Sequence, residues 1–402
     1  MLFAASLWIG WQIVGTTMAA SQNDPIKALT WRPDSPQTLV ALAEQLLVSA
    51  TTDEELTEIE VLARRAAGNG PLEARAIRTL GLVADLRGDV AQAETLIMVA
   101  ADRARRDALS QIWLLEHDLA RSQFTEAIAR IDAIVRARPD LRPMILPALA
   151  TVAGQPAGAE SLAKHLESDP PWRQWLLAEL PKASEPPTVH SLLSALKNGS
   201  APPRSEEVRP HVERLVELKE FDLAYLTWVG FLPEGHQSSL PYMYNGSFER
   251  PSDGMPFDWA LSPAQGARTE IVDTQEEARG KGLRVTFANT RVRYRHARKL
   301  LVLSPGAYKF SGVERAENLV NERGVAWRLR CADDASQLLA TGPYLLGTVP
   351  WRTFTTKFSV PPGCGAQWLS LELLARIPSE EHVSGEIWYD DLAIQRAASP
   401  AN

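Results

Sequence analysis

Residues 206–235 read EEVRPHVERLVELKEFDLAYLTWVGFLPEG, and the chain changes character within this stretch. Up to Leu232 the apolar residues recur at the spacing of one helix face. Beyond Pro233-Glu234-Gly235 apolar and polar residues alternate, and Gly, Pro, Thr and aromatic residues become more frequent. The change predicts a multidomain α + β protein. Its predicted parts are a helical domain over 35–232, a linker over 233–240 and a β domain over 241–397.

The helical half contains an internal repeat. Two stretches that start at Ala74 and Ala108 superimpose at a 34-residue period. The first has Gly81 in its first helix and Ala93 in its second, and small residues at such points let the two helices of a hairpin approach closely. Pro139 ends the second stretch, because proline cannot continue a helix.

These features resemble the tetratricopeptide repeat family, whose helical hairpins stack into a curved solenoid. Ala66 and Pro71 match the end of a preceding repeat, and Ala224 matches the close-packing position of a later hairpin. The second unit departs from the family pattern, with Leu115 where a glycine is expected. The resemblance implies an α-helical repeat solenoid with degenerate repeats that binds a protein partner.

Seven segments of the β domain have the residue types and alternation of strands and are separated by turn residues. They are Gly282–Phe287, Arg291–Leu303, Ala307–Glu314, Val325–Cys331, Thr353–Val360, Gln367–Leu374 and Ile387–Ile394. Seven or more short strands with turns between them predict an antiparallel β-sandwich.

Spaced landmarks in this domain resemble the jelly-roll carbohydrate-binding modules attached to xylanases and cellulases. The landmarks are NGSFE at 245–249, PFDW at 256–259, LSPGAY at 303–308, WRTF at 351–354 and WYDDL at 388–392. The resemblance implies a jelly-roll fold and the binding of a polysaccharide.

Jelly rolls of this type often carry a structural calcium ion between their opening and closing strands. Glu249 and Asp391 occupy the matching landmarks, and a hard cation takes such carboxylate oxygens as ligands. The resemblance therefore implies a calcium site at these two residues, the alternative being two solvated carboxylates at strand ends. No other cofactor is expected.

Aromatic residues of the β domain are candidates for stacking on sugar rings, with polar side chains at the rim to orient hydroxyl groups. The candidates are Trp259, Tyr294, Trp327, Tyr344 and Trp388, with Trp351 and Trp368 in the same domain. Packing in the core is the alternative for each of them.

Residues 291–299 read RVRYRHARK and form the most basic segment of the domain. Alternation places Arg291, Arg293 and Arg295 on one face and Val292 and Tyr294 on the other. Guanidinium groups suit carboxylates and phosphates, so the face is a candidate for binding an acidic polysaccharide or a lipid head group. The alternative is a solvated strand whose like charges prevent edge pairing.

Residues 2–20 contain no charged side chain and match the length of one membrane-spanning helix. We favour an N-terminal apolar helix, a retained signal anchor over residues 1–21, above a secretory signal peptide cleaved near Ala19. The anchor predicts a protein of the bacterial inner membrane that faces the periplasm. Cleavage would make it periplasmic or secreted.

The only two cysteines, Cys331 and Cys364, both lie in the β domain. A disulfide between them suits an oxidising compartment, and two unpaired buried thiols are the alternative.

The composition and the absence of catalytic motifs argue against two classes of function, nucleic-acid binding and catalysis. A net charge of −7 argues against nucleic acid, which attracts basic surfaces. The sequence lacks the His-Glu-x-x-His, Gly-x-Ser-x-Gly and phosphate-loop motifs of enzymes. We therefore expect a non-enzymatic cell-envelope scaffold, accessory to exopolysaccharide assembly or export, that binds a polysaccharide through the sandwich and a protein through the repeats. The alternative is a purely structural interaction scaffold without glycan binding.

Overall fold

The computed structural model describes residues 24–233, 235–236, 240–274, 276 and 279–397. The chain divides into two compact units, which meet in sequence between Arg173 and Gln174. The apolar segment predicted to be a signal anchor, with its membrane contact through residues 2–20, lies outside the described residues.

The first unit is helical. Its described residues form α1 (Pro25–Trp31), α2 (Pro36–Leu47), α3 (Asp53–Asn69), α4 (Ala74–Leu86), α5 (Val90–Arg103), α6 (Ala108–Ala120), α7 (Phe124–Ala137), α8 (Arg142–Ala153) and α9 (Pro156–Leu166), with a short 3₁₀ turn at Pro139–Leu141. Side-chain hydrogen bonds cap the N-termini of several of these helices. Thr52 and Glu55 form a capping box at α3, each bonding to the other's backbone N–H.

The 34-residue period appears in the helix starts. α4 and α6 begin at Ala74 and Ala108, and α5 and α7 begin at Val90 and Phe124. Gly81 allows α4 to lie close to α5, because a Cβ atom there would stand 2.6 Å from Cγ1 of Ile97. The helical N-terminal half is thus confirmed, and membership of the tetratricopeptide family stays a prediction.

The second unit begins with helices and continues into the sandwich. The helices are α10 (Arg173–Ala183), which starts at the last residue of the first unit, α11 (Pro186–Lys197), α12 (Ser205–Glu217) and α13 (Phe221–Phe231). Pro186 occupies the first turn of α11, where a missing N–H costs no hydrogen bond.

Ten strands form the sandwich in the described part of the chain. They are β1 (Ala260–Leu261), β2 (Ala267–Asp273), β3 (Lys281–Arg291), β4 (Ala297–Leu301), β5 (Gly306–Val320), β6 (Val325–Cys331), β7 (Leu338–Thr341), β8 (Gly347–Val360), β9 (Gln367–Leu373) and β10 (His382–Arg396), with a 3₁₀ turn at Pro378–Glu381. Sheet one has the order β1-β4-β9-β6-β7, and sheet two has the order β2-β3-β10-β5-β8. All pairings within them are antiparallel. The predicted antiparallel sandwich is confirmed.

The predicted strand Arg291–Leu303 is divided in the structure. β3 ends in sheet two at Arg291, and the chain crosses to sheet one before β4 begins at Ala297. Val292 and Tyr294 stay buried during the crossing, so the sequence keeps its alternation although the strand is interrupted. The sequence did not predict β1, β2 or β7.

Aromatic rings fill the space between the sheets. Trp327 lies at the centre, with its ring centroid 5.6 Å from that of Trp259 and 5.3 Å from that of Tyr389. Cys331 and Cys364 form a disulfide with a Cα–Cα distance of 5.6 Å, which confirms the pairing expected from the sequence.

The hairpin of α12 and α13 packs on the sandwich within the second unit. Trp228 on α13 donates its indole N–H to Asp253 at 3.0 Å, and Tyr225 packs edge-on against Phe257 with centroids 5.3 Å apart. The last predicted repeat therefore buries its aromatic face against the β domain.

The localisation at the inner membrane is a prediction that the structure contradicts. In the described part of the chain, no helix combines the length and the apolar composition that a membrane span requires.

Candidate functional site

The outer face of sheet one carries the most unusual group of side chains in the sandwich. Along β9 and β6, Leu369, Leu371, Trp327 and Leu329 point into the core, and the residues between them point outward. We call the outward group the basic face. Its members are Arg295, Arg298, Arg328, Arg330, Trp368, Ser370 and Glu372.

The strand register places two of these arginines in one row. Arg298 on β4 pairs with Ser370 on β9, and Ser370 pairs in turn with Arg328 on β6. Neighbouring strands lie about 4.8 Å apart, so the two arginine backbones stand about 10 Å apart on either side of the serine.

Glu372 is the carboxylate of this face, and its side chain is 3 % exposed. Oε1 accepts from Arg330 at 2.5 Å and from the Ser370 hydroxyl at 2.9 Å. Oε2 lies 3.6 Å from Arg328 and 3.9 Å from Arg295. A buried carboxylate is tolerated when cations and hydrogen bonds compensate for its lost hydration, and this one has both.

Arg298 differs from the other arginines of the face. Its guanidinium lies over the indole of Trp368, 4.7 Å from the ring centroid, and among the described residues no carboxylate forms an ion pair with it. Arg298 is exposed and Trp368 is partly exposed. The contact is a cation–π interaction that leaves the exposed side chain of Arg298 at the surface.

The face can therefore bind anions. Three arginines contact one carboxylate and a fourth, Arg298, does not, so positive charge exceeds negative charge within the basic face. Guanidinium forks bind carboxylate, sulfate and phosphate groups through paired hydrogen bonds. Trp368 adds an aromatic surface beside the cations.

The arginines predicted from the segment 291–299 have different surroundings. Arg291, Arg293 and Arg295 are all exposed, as the alternation indicated. Arg293 pairs with Glu381 at 2.7 Å, whereas Arg295 reaches the basic face through Glu372.

Lys299, the last residue of that segment, points inward. It donates to the backbone oxygen of Asp258 at 3.0 Å and lies over the ring of Trp259, 5.0 Å from its centroid. Burial lowers the pKa of Lys299 to about 8, and the negative charge of Asp258 opposes that shift. This lysine is unavailable to a ligand.

Three of the aromatic candidates are core residues. Trp259 has 0 % exposure and donates its indole N–H to the backbone oxygen of Asn245. Trp327 is buried between the sheets, and Tyr294 is buried with its hydroxyl 2.7 Å from that of Thr269. None of these rings has a face open to a sugar.

The other two aromatic candidates lie in different parts of the sandwich. Trp388 is 5 % exposed on the outer side of sheet two, covered by Arg284, with its indole N–H donated to Glu386. Tyr344 is 59 % exposed in the chain between β7 and β8. The structure does not bring these residues together.

The predicted calcium residues line one hollow. Glu249 and Asp391 share its wall with residues 243–247, and Glu249 accepts from the backbone N–H of Lys281 at 2.9 Å. Calcium takes six to eight oxygen ligands. Among the described residues, no group of three or more acidic, histidine or cysteine side chains has the arrangement of a metal site, so the calcium site stays a prediction.

Sequence reasoning missed most of the basic face. Arg328, Arg330, Ser370 and Glu372 were not candidates, although WRLR at 327–330 and SLEL at 370–373 carry alternating patterns that place charged residues on one side. The pattern alone does not reveal that β9 lies between β4 and β6.

Neither the family models nor the curated proteins gave a match to this sequence. Solved structures resemble the sandwich. One is a CBM4 module, with 19 % identity over 39 % of this chain and 99 % of that chain and a TM-score of 0.29. A second is a CBM61 module in complex with β-1,4-galactotriose, with 15 % identity over 40 % of this chain and all of the other and a TM-score of 0.27.

A third is the CBM22-1 xylan-binding domain from Paenibacillus barcinonensis Xyn10C. It has 17 % identity over 38 % of this chain and 94 % of that chain, with a TM-score of 0.23. The sandwich thus resembles carbohydrate-binding modules. The likeness is one of fold, and the residues of the basic face determine what the sandwich can bind.

Proposed function

We propose that the C-terminal sandwich binds an acidic polysaccharide on the basic face. The observation that carries this proposal is Arg298, an exposed cation that lies over Trp368 with no carboxylate partner among the described residues. A polysaccharide with repeated carboxylates offers such a face several anions at once, and each adds a charge-assisted hydrogen bond.

Sugar rings complement the remaining part of the face. Pyranose rings have apolar faces that pack on aromatic surfaces, and Trp368 is partly exposed beside the cations. The Ser370 hydroxyl donates to Glu372 and keeps its own oxygen as an acceptor for a sugar hydroxyl.

Binding without cleavage is part of the proposal. Glycoside hydrolysis generally uses two carboxylates that face the scissile bond. The basic face contains one carboxylate, Glu372, and that group is buried and paired with arginines. We expect no reducing ends to be released from any polysaccharide that binds.

Affinity electrophoresis of the full chain tests the proposal. Gels containing hyaluronan, alginate or polygalacturonate should retard the protein more than gels containing dextran or pullulan. R298Q combined with R328Q should weaken binding about tenfold or more, because two charge-assisted contacts are lost. R268Q combined with R315Q is the matched control, because both arginines lie on the outer side of sheet two and pair with Glu270 and Glu317. Lack of retardation by all three acidic polysaccharides would refute the proposal.

The helical first unit has a separate task in this proposal, the binding of a protein partner during exopolysaccharide assembly or export. Apolar side chains at its surface support the idea, among them Val48 and Leu72, which are 90 % and 89 % exposed. A pull-down with the L72E variant of the full chain should recover less of any partner than the unsubstituted chain. Equal recovery would argue against this surface.

A further inference from the structure

The outer side of sheet one carries an exposed tyrosine just beyond β7. Gly342 donates its backbone N–H to the backbone oxygen of Trp327 at 2.8 Å, so the chain continues alongside β6 after β7 ends. Leu345 then forms an antiparallel bridge with Val325 of β6, and both side chains lie in the core. Successive side chains of an extended segment point to opposite sides. Tyr344, which precedes Leu345 and is 59 % exposed, therefore points outward on the side of the basic face.

The strand register gives the separation between Tyr344 and Trp368, the aromatic residue of the basic face. Trp368 on β9 pairs with Arg330 on β6. The bridge at Leu345 places Tyr344 opposite Ala326 on β6. The two aromatic residues are thus two strands and four residues apart, which places their backbones about 16 Å from each other. A single sugar ring cannot span this distance, whereas an oligosaccharide can.

Arg328 lies midway between the two aromatic residues. On β6 it is two residues from Arg330 and two from Ala326, so its backbone is about 8 Å from that of either aromatic residue. Its side chain is 30 % exposed, and the ion pair with Glu372 has an N–O distance of 3.6 Å, beyond that of a normal hydrogen bond. Among the described residues its Nε atom has no hydrogen-bond partner. The ion pair therefore leaves N–H donors of Arg328 for a ligand.

We infer that Tyr344 is a second aromatic platform of the polysaccharide site, and that the site binds an internal segment of an acidic chain. One sugar ring packs on Trp368 and another on Tyr344, and a carboxylate on the sugars between them pairs with Arg328. The inference rests on the proposed function and adds the length of the ligand and its placement on the sheet. A ligand that reaches both rings gains two aromatic contacts and an ion pair in one binding event.

The alternative is that Tyr344 is an ordinary surface residue that no ligand touches, since single exposed apolar residues are common. A rise in affinity with chain length does not separate the two readings, because a longer acidic chain also carries more charge. Substitution of Tyr344 leaves every charge of the protein in place. Its effect on a long ligand compared with a short one is therefore the quantity to measure.

Calorimetric titration of the full chain with galacturonate oligosaccharides tests the inference. The probes are a disaccharide, which can cover Trp368 and Arg298, and a hexasaccharide, which is long enough to reach Tyr344. In Y344A the affinity for the hexasaccharide should fall about tenfold and that for the disaccharide should stay the same, because only the longer ligand loses a ring contact. Y344F keeps the ring and should bind both probes as the unsubstituted chain does.

Y242A is the matched control. Tyr242 is 48 % exposed and packs edge-on against Tyr308 of sheet two, with centroids 5.7 Å apart, so its loss should leave both affinities unchanged. R328Q tests the cation between the platforms. It should lower the affinity for the hexasaccharide about tenfold and leave that for the disaccharide unchanged.

The possible outcomes separate this inference from the proposed function. Equal affinity of Y344A and the unsubstituted chain for the hexasaccharide would overturn the inference and leave the proposed function intact. A similar loss for both probes in Y344A would also overturn it, because such a loss indicates a general change in the domain. Unchanged hexasaccharide affinity in R328Q would remove the central contact and overturn the inference as well. No binding of the oligosaccharides or of any acidic polysaccharide by the unsubstituted chain would overturn both proposals.

Discussion

A buried histidine should make the second unit sensitive to acid. His211 on α12 is 1 % exposed, and neither of its ring nitrogens has a hydrogen-bond partner among the described residues. The ring of His190 on α11 lies 6.2 Å away, centroid to centroid. Burial, and secondarily the charge of His190, lowers the pKa of His211 from 6.5 to about 4.

The sign of the effect follows from which state binds the proton. Between pH 6.5 and about 4 the unfolded chain takes up a proton at His211 that the folded chain refuses, so stability falls as pH falls through this window. Each tenfold difference in proton affinity is worth about 1.4 kcal/mol, and the gap between 6.5 and about 4 therefore corresponds to about 3 kcal/mol. The contribution is fully present above pH 6.5.

Urea unfolding of the full chain at about pH 7 and about pH 4.5 would measure this loss. H211Q removes the titrating group and should reduce the pH-dependent loss of unfolding free energy by about 2 kcal/mol. The difference between the two pH values is compared, because a buried glutamine also changes stability at neutral pH. H382Q is the control, because His382 is exposed and, among the described residues, is not a contact of His211. An equal loss in H211Q and the unsubstituted chain would refute the assignment of acid sensitivity to His211.

Three further predictions concern packing and charge. G81A should destabilise the first unit by about 1 to 3 kcal/mol in thermal unfolding, because the side chain of Ile97 must move. The control G68A places its Cβ atom where no atom lies within 4 Å, and it should be neutral or stabilising. Equal effects of the two substitutions would contradict the close contact at Gly81. W228A should cost about 3 to 5 kcal/mol and open the segment around α13 to protease, and unchanged cleavage would refute its anchoring role. Between about pH 8 and 10.5 the unfolded chain holds a proton on Lys299 that the folded chain has lost, so the free energy of unfolding should rise with pH. Urea unfolding of K299M should show a smaller rise. The same pH dependence in K299M and the unsubstituted chain would refute the role of Lys299.

Local sequence patterns predicted a strand and its bounds correctly where one face of the strand packs on the core. Val325–Cys331 was predicted with the bounds that the structure shows, because its alternate residues are buried throughout. The alternating pattern wrongly predicted one continuous strand over Arg291–Leu303. Val292 and Tyr294 remain buried while the chain crosses from one sheet to the other, so the alternation continues although the strand does not. The pattern records which side is buried and carries no information about which sheet a residue belongs to.

The candidate site was harder to predict than the fold for a related reason. Arg298, Arg328 and Ser370 become neighbours only because β9 lies between β4 and β6, an order that does not follow the sequence. The aromatic residues did not reveal the site, because the sequence cannot distinguish a tryptophan in the core from one that stacks on a sugar. Trp259 and Trp327 were candidates, and both are buried. Helical spacing also could not show that α13 packs on a sandwich.

The basic face carries an excess of positive charge although the chain as a whole is acidic. The chain as a whole is acidic, with a net charge of −7, so an excess of arginine at one place cannot reflect composition. On the outer side of sheet two, Arg284 and Arg268 both pair with Glu270, and Arg315 pairs with Glu317. On the basic face, Arg298 has no such partner among the described residues. The positive charge of Arg298 therefore remains available at the surface, where it can attract a polyanion.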